Sequence, residues 1–442
     1  MSPKEQKARA LARTLREAGF VAYFAGGCVR DRLLGVEPGD YDIATDAHVD
    51  DVRRLFAKTV PVGAKFGVIL VVADGDPFEV ATFRADAPYI DGRRPSAVRF
   101  TSAEEDAQRR DFTINGMFLD PENDSVIDHV GGQRDLQAGV IRAIGDAQER
   151  LREDRLRMLR GVRFAARFGF EMESETHQAI CRASHLITEM AWERIGDEVV
   201  KTLIDGPPGS ARRAFELLDS TGLLAAILPE IRAMQGVEQS PDYHPEGDVF
   251  VHTLGLLERL DHPSETLALG ALLHDVAKPT CAVRRDHRIT FYGHCEVGAE
   301  MAEDVCKRLK RSRHTRERVG FLVRHHLRHL QAPQMRAATL KRFLATDGID
   351  ELLELARLDA LASNGDLRSY EFCRDRLAEL GSALIAPPPL LTGRDLITAG
   401  LSPGPAFGDL LRDVRDAQLE GEVSTRSEAL DWLRRRGSIP QT

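Results

Sequence analysis

Phe20-Val21-Ala22-Tyr23-Phe24-Ala25-Gly26-Gly27-Cys28-Val29-Arg30-Asp31-Arg32-Leu33-Leu34, followed by Asp40-Tyr41-Asp42, is the stretch that decides the fold. Residues 20–24 are short, apolar and aromatic and read as a buried strand. The strand ends at Gly26-Gly27, and Cys28 to Leu34 reads as a helix start. A glycine turn feeding a helix N-terminus presents backbone N–H groups and the positive end of the helix dipole, which suits a phosphate. In a strand, residues i and i+2 share a face, so the carboxylates of Asp40 and Asp42 are placed to share divalent cations. A phosphate cradle beside paired carboxylates points to metal-assisted phosphoryl transfer.

The triplet alone says little, because an acid-rich chain holds such triplets by chance. Asp74-Gly75-Asp76 is one of these: its glycine and the following Pro77 predict a turn between two strands. Phe66 to Val72 reads as the first of those strands, and Phe78 to Phe83 as its partner. Alternation puts Glu79, Ala81 and Phe83 on one face, which offers Glu79 as a third carboxylate beside the pair. The competing reading of Glu79 is a solvated strand residue.

A length of 442 residues predicts two to four domains, and 43% hydrophobic residues supply real cores. Six cysteines show no CxxC spacing, so neither a disulfide framework nor a cysteine zinc site is implied, and a reduced, cytoplasmic setting fits. Ser2-Pro3-Lys4-Glu5 reads as an N-cap and a proline at the first helical position, not as a signal peptide or a membrane span. No obligate protein partner is evident. The net charge of −9 weighs against nucleic-acid binding, which favours a positive field. Basic residues are nevertheless crowded at Arg150, Arg152, Arg155, Arg157, Arg160, Arg163 and Arg167, and again from Lys307 to Arg318. Such stripes read either as solvated helix faces or as local RNA contacts.

From Asp146 the pattern turns nearly continuously helical, beginning with a capping box at Asp146-Ala147-Gln148-Glu149. Gly206-Pro207-Pro208-Gly209 breaks it, and loops are expected near Ser240 to Pro245 and at Ala386-Pro387-Pro388-Pro389.

The blocks Gly26-Gly27-Cys28-Val29-Arg30-Asp31, Asp40-Tyr41-Asp42-Ile43-Ala44-Thr45, Asp91-Gly92-Arg93-Arg94-Pro95, Arg109-Arg110-Asp111-Phe112-Thr113-Ile114-Asn115 and Glu153-Asp154-Arg155-Leu156-Arg157 occur in that order. Together they resemble class II tRNA nucleotidyltransferases, the CCA-adding enzymes and their poly(A) polymerase relatives. A weaker likeness continues through Glu193-Arg194-Ile195-Gly196-Asp197-Glu198. The resemblance implies an α+β fold: a polymerase-beta-like α/β head followed by an elongated all-α portion. It implies a head over residues 1–140, a helical neck at 141–205 for base recognition and RNA, a body or linker at 206–245 and a helical tail at 367–442 that contacts tRNA. It implies tRNA, CTP and ATP as partners and Mg²⁺ at Asp40, Asp42 and Glu79. It also implies that Arg109, Arg110, Asp111 and Asn115, with Gly26, Gly27 and Arg30, hold the nucleotide.

For Glu153, Asp154 and Arg157 the spacing places all three on one helix face. An ion-pair cluster is the plain reading. The functional one is a protein template: cytosine and adenine both present an amino donor beside a bare ring nitrogen, which a carboxylate and a guanidinium can pair. Asp154 and Arg157 would read the base and Glu153 would orient Arg157. The segment Asp91 to Pro95 resembles the flexible loop that CC-only members lack, which favours CCA addition or terminal A addition. A poly(A) polymerase on the same scaffold is the nearest alternative.

Leu272-Leu273-His274-Asp275-Val276-Ala277-Lys278-Pro279 resembles the signature of HD-domain phosphohydrolases, with His252 upstream and Asp359 downstream, inside a domain at 246–366. His294 and His325-His326 lie in the same half. Imidazoles and carboxylates suit a divalent transition metal at His252, His274, Asp275 and Asp359. A helical domain whose histidines merely hydrogen-bond is the plain alternative. A metal-dependent phosphohydrolase with a nucleotide-binding head is the rival of a different class.

Overall fold

A mixed seven-stranded sheet organises the first part of the chain in the computed structural model, which describes residues 1–86, 98–240, 247–285, 288–385 and 388–440. The elements are α1 (Pro3–Glu17), β1 (Ala22–Ala25), α2 (Gly27–Leu33), β2 (Asp42–Thr45), α3 (Val49–Leu55), β3 (Thr59–Gly63), β4 (Val68–Ala73) and β5 (Asp76–Thr82). There follow β6 (Arg84–Asp86), β7 (Val98–Phe100), α4 (Ala103–Gln108), β8 (Phe118–Leu119), β9 (Val126–Ile127) and α5 (Gly132–Ala138). The sheet order is β3-β4-β5-β2-β1-β8-β9, with β2 parallel to β5 and antiparallel to β1.

Local chemistry explains the elements that frame the sheet. Ser2 Oγ accepts from the Glu5 N–H at 3.2 Å and Pro3 opens α1, as the sequence predicts. Asp74 and Gly75 both take positive φ, the left-handed pair that a two-residue hairpin turn requires, so Asp74-Gly75-Asp76 is the predicted turn. Side-chain alternation then sorts the two faces. Phe24, Ile43, Ile69, Val71, Phe78 and Val80 pack with Ala8, Leu11, Ala12 and Leu15 of α1. The small side chains Ala25 and Ala44 share the opposite face with Phe83 and Phe118.

Two strands start later than the sequence predicts. The first begins at Ala22, not Phe20. The other begins at Val68, because Phe66 closes a 3₁₀ turn and Gly67 turns the chain at φ 76°. A Cβ on Gly67 would lie 2.8 Å from the Phe100 ring, so this turn depends on glycine. The expected loop segment Asp91 to Pro95 lies outside the described residues.

The helical part begins with α6 (Ala147–Glu153), α7 (Arg157–Phe168), α8 (Ser174–Ala183), α9 (Trp192–Ile204), α10 (Ser210–Ser220), α11 (Leu223–Ile227) and α12 (Pro229–Arg232). Asp146 caps α6 through the Glu149 N–H. The single helix expected across residues 153–157 is broken: Asp154 is extended, and its Oδ1 accepts from the Leu156 N–H at 3.1 Å. An aspartate that bonds its own backbone two residues on competes with the helix. Arg163 on α7 and Glu198 on α9 form a buried pair at 2.8 Å. A Cβ on Gly196 would sit 2.2 Å from the Leu309 carbonyl, which gives the glycine in that block a packing reason.

Packing divides the chain into two units. One comprises residues 1–233, 257–265 and 305–312, the other residues 234–256, 266–304 and 313–442. The second contains most of α13 (Val249–Glu258), α14 (Glu265–Leu273), α15 (Lys278–Cys281) and α16 (His294–Arg308), and then α17 (Arg313–His325), α18 (Ala337–Leu344) and α19 (Ile349–Ala362). Its tail has a separate core of Leu391, Leu396, Val414, Ala417, Val423, Ala429, Leu433 and Ile439. Among the described residues no helix is long and apolar enough to cross a membrane.

Candidate active site

The register of β2 and β5 sets the first half of the site. Ile43 pairs with Val80, so Asp42 and Glu79, one residue before each, stand side by side. Both carboxylates open onto a cavity whose walls include the small residues Ala25, Ala44 and Ala81. Burial, then the like charges of Glu79 and Asp40, pushes the Asp42 carboxyl up to about 6. Asp42 keeps solvent contact through the cavity mouth, so the crowding comes from the walls and neighbouring carboxylates, not from full enclosure. Asp40 sits differently from the shared strand face expected of it. It precedes β2, its side chain is 87% exposed, and its carboxylate meets Lys4 Nζ at 2.6 Å.

The glycine pair delivers the helix start as predicted. Gly26 has φ 70° and ψ −122°, a conformation open to glycine, and a Cβ there would lie 2.9 Å from Arg110 Nη1. Glycine therefore serves both the turn and the close approach of a cation. Next to it lies a cavity of about 480 Å³ lined by Gly26, Gly27 and Asp42, and by Arg109, Arg110, Asp111, Asn115, Asp154 and Arg157. Its wall also carries Arg30, Arg160, Arg163 and Arg167. Arginines outnumber carboxylates here, so an acidic chain holds a cationic pocket fit for a polyphosphate.

Each arginine has a fixed place. Asp106, 1% exposed, takes Arg109 on Oδ1 at 2.7 Å and Arg110 on Oδ2 at 3.0 Å. Arg110 also lies over the Phe118 ring. Arg30 is buried and donates to Asn115 Oδ1 at 2.6 Å. Asp111 accepts from the Phe112 N–H, the Asn115 amide and Arg160, which leaves little acceptor capacity for a ribose. Burial alone would raise the Asp111 carboxyl, but Arg160 and the Asn115 amide hold it down at about 2. Asp106 and Arg160 escaped the sequence reading as site residues. The i,i+3 and i,i+4 spacing of Asp106 to Arg109 and Arg110 was the available signal.

At the other end of the cavity, Arg157 Nη1 donates to Glu153 Oε2 at 2.7 Å and to the Arg150 carbonyl at 2.8 Å, while Nη2 donates to the Arg109 carbonyl at 2.9 Å. Glu153 and Arg157 thus stand in direct contact. Asp154 meets Arg194 at 2.9 Å. The helix break moves Asp154 off the shared helix face, yet it lines the same cavity as Arg157. The second basic run is engaged in ion pairs: Arg308 with Glu230, Arg311 with Asp197, Arg313 with Glu317 and Arg318 with Glu351.

In the second unit, His274 and Asp275 occupy the turn between α14 and α15. His274 Nε2 lies 3.3 Å from His252 Nε2 and 3.1 Å from Asp275 Oδ2, and His252 Nε2 lies 3.0 Å from Asp359 Oδ1. The four residues expected to meet do meet, and all are buried. Lys278 Nζ adds a contact of 2.6 Å to Asp275 Oδ2. Burial opposes the charge on Asp275, but His274 and Lys278 hold its carboxyl well below the usual range. His294, Cys295 and His326 form an adjoining group that the sequence reading did not assign.

Three protein-family models match the chain: the poly A polymerase head domain over residues 22–142, the "Probable RNA and SrmB- binding site of polymerase A" over 169–234 and the HD domain over 248–364. The CCA-adding enzyme of Geobacillus stearothermophilus is 45% identical over 228 residues, 51% of this chain and 55% of that protein. That of Bacillus pumilus is 44% identical over 253 residues, 55% of this chain and 62% of that protein. These matches thus span little more than half the length of the curated relatives. The structure of the Bacillus stearothermophilus CCA-adding enzyme with CTP superposes with a TM-score of 0.76 at 29% identity, covering 99% of this chain and 98% of that one. The Thermotoga maritima CCA-adding enzyme complexed with tRNA shares the fold at a TM-score of 0.61 and 20% identity, covering 99% of this chain and 96% of that one.

Proposed function

We propose that this chain, which the poly A polymerase head-domain model matches over residues 22–142 and the HD-domain model over 248–364, adds CMP and AMP from CTP and ATP to the 3′ end of tRNA. The observation that carries this reading is one cavity lined by the Asp42 carboxylate, by Arg109, Arg110 and further arginines, and by Asp154 and Arg157. We assign the catalytic head to residues 1–140, base and RNA recognition to 141–205, a helical body to 206–245, the HD domain to 246–366 and a tRNA contact to 367–442. The free state of all six cysteines supports a reducing, cytoplasmic setting.

Asp42 and Glu79 form an all-oxygen donor set that fits Mg²⁺, with Asp40 as a further carboxylate a short loop away. Held by Asp42 and Glu79, such an ion would supply charge neutralisation and Lewis acidity for the transfer. Arg109 and Arg110, held by Asp106, take the charge of the phosphates. The α2 N-terminus behind Gly26-Gly27 adds its dipole. Arg157 has five N–H donors, of which three are engaged with Glu153 and the carbonyls of Arg150 and Arg109. A donor on Arg157 and a lone pair on Asp154 thus meet the ring nitrogen and amino group of cytosine or adenine. Uracil and guanine offer a carbonyl and an N–H in those places, and the pair repels both.

The test uses tRNAs that end before CCA, after C and after CC, each with labelled CTP or ATP. We expect CMP on the first two, AMP on the third, and then a stop. Long A tails would make the chain a poly(A) polymerase instead.

For the HD unit we propose a divalent transition metal among His252, His274, Asp275 and Asp359, whose donor atoms converge at 3.0–3.9 Å. Bound there, it would supply the Lewis acid for hydrolysis of a phosphomonoester or a 2′,3′-cyclic phosphate. His274→Ala should lose that hydrolysis in Ni²⁺, Mn²⁺ or Mg²⁺ and keep nucleotide addition. A purified protein without metal and without hydrolysis under any of these ions would make the unit a scaffold.

A further inference from the structure

Arg157, Arg160, Phe164 and Arg167 recur along α7 at spacings of three and four, so they share one helix face, and all four line the cavity of about 480 Å³. Arg157 and Arg167 are ten residues apart, roughly 15 Å along the helix axis. The face therefore runs along the cavity, from the end where Arg157 and Asp154 stand to a cationic corner shared with Arg30 of α2.

Ion pairing separates the arginines of that corner. Arg160 meets Asp111 at 2.7 Å and Arg163 meets Glu198 at 2.8 Å. Arg30 is buried, meets Asp31 at 2.6 Å and donates to Asn115. Arg167 is half-buried and has no acidic partner among the described residues. Its guanidinium lies 5.3 Å from the centre of the Phe168 ring, and that of Arg30 lies 4.6 Å from the same centre.

Two like charges on one ring repel each other, and the aromatic face offsets only part of the repulsion. Burial first, with Arg167 adding to it, pushes the Arg30 guanidinium down from its ordinary value, although Asp31 works the other way. Packing alone does not call for this arrangement, since an uncharged side chain at position 167 would cover Phe168 without repelling Arg30. An uncompensated guanidinium that lines a cavity offers paired N–H groups, which match the oxygens of a phosphate.

We propose that Arg167, beside Arg30, grips the terminal phosphates of the incoming nucleoside triphosphate and extends the cationic floor beyond Arg109 and Arg110. The proposal rests on the nucleotide reading of this cavity. With the base at Asp154 and Arg157 and the reacting phosphorus next to Asp42, the corner is the part of the wall left for the two outer phosphates. Those two leave together as pyrophosphate when the inner phosphorus passes to the 3′-hydroxyl, so Arg167 also holds the product. A phosphodiester of the RNA offers the same oxygens, and the experiment separates the two sources.

The test compares Arg167→Gln with the wild type in calorimetric binding of CTP, CMP and tRNA, and in inhibition of nucleotide addition by pyrophosphate. CTP binding should weaken about tenfold, the size of one lost charge-assisted contact. Pyrophosphate inhibition should weaken by the same factor. CMP lacks the outer phosphates, so it and tRNA should bind as they do to the wild type, which also reports an intact fold. Arg167→Lys keeps the charge without the fork and should fall between the two. Equal weakening of CTP and CMP overturns the proposal in favour of a packing role, and weakened tRNA binding with CTP unchanged gives the corner to RNA. CTP binding that depends on Arg167 in a chain that adds nothing to tRNA supports this site and removes the proposed function. Addition to tRNA with an unchanged KM for CTP in Arg167→Gln does the reverse.

Discussion

Asp42→Ala should abolish nucleotide incorporation while leaving tRNA binding within a few-fold of the wild type. Asp42 and Glu79 are neighbours across the β2–β5 register, and no basic residue forms a salt bridge with Asp42 among the described residues. Its carboxyl is pushed up to about 6 by burial and by the charges of Glu79 and Asp40, so the carboxylates oppose one another until a cation joins them. Charge neutralisation by a bound ion is worth several kcal/mol in the transition state, which corresponds to a loss of roughly 10³-fold or more. Stability should move the other way. A carboxyl raised in the folded state disfavours folding once the pH exceeds its unfolded value near 3.9, and the penalty grows as pH rises towards about 6. At neutral pH the metal-free Asp42→Ala protein should therefore melt no lower than the wild type. Incorporation near the wild-type rate by a folded variant would remove Asp42 from the reaction.

The head was legible in the sequence because its signals are local. Gly26-Gly27, the Asp74-Gly75 turn and the alternation that brings Glu79 beside Asp42 each depend on neighbours along one or two strands. What the sequence hid was decided by partners far away or by competition with the backbone. Asp40 reads as a strand residue, but Lys4 on α1 draws its carboxylate aside. Asp154 reads as helical, but its side chain takes the Leu156 N–H and stops α6. Asp106 looks like one of three acids at a helix start, and only the fold shows that it is buried and grips two arginines. The basic run from Lys307 reads like an RNA stripe, and most of its arginines prove to be paired with Asp and Glu from other segments. The His294, Cys295 and His326 group has no motif spacing, since α16 and α17 bring its members together through space.

Arg157→Ala should lower the use of both CTP and ATP and narrow the gap to UTP and GTP. The guanidinium is nearly buried and is fixed by Glu153 and the carbonyls of Arg150 and Arg109, so its remaining donors are held in a set direction. A lost hydrogen bond at such a site costs about 1–3 kcal/mol, or roughly a 5–150-fold fall in kcat/KM for CTP and ATP. Truncation also removes one of the two arginines that Glu153 contacts, Arg150 being the other, so a second substitution is needed to separate base reading from local rearrangement. Asp154→Asn serves, because it retains size and the contact to the Leu156 N–H while turning part of a pure acceptor into a donor. An amide N–H there faces the carbonyl of uracil or guanine instead of an amino group. UTP and GTP use should therefore rise relative to CTP and ATP in Asp154→Asn, whereas a purely structural Asp154–Arg194 pair predicts an equal loss for all four nucleotides. If Arg157→Ala and Asp154→Asn both kept wild-type selectivity, the pair would be an ion-pair network on the cavity wall, and the choice of base would have to be made elsewhere in the head.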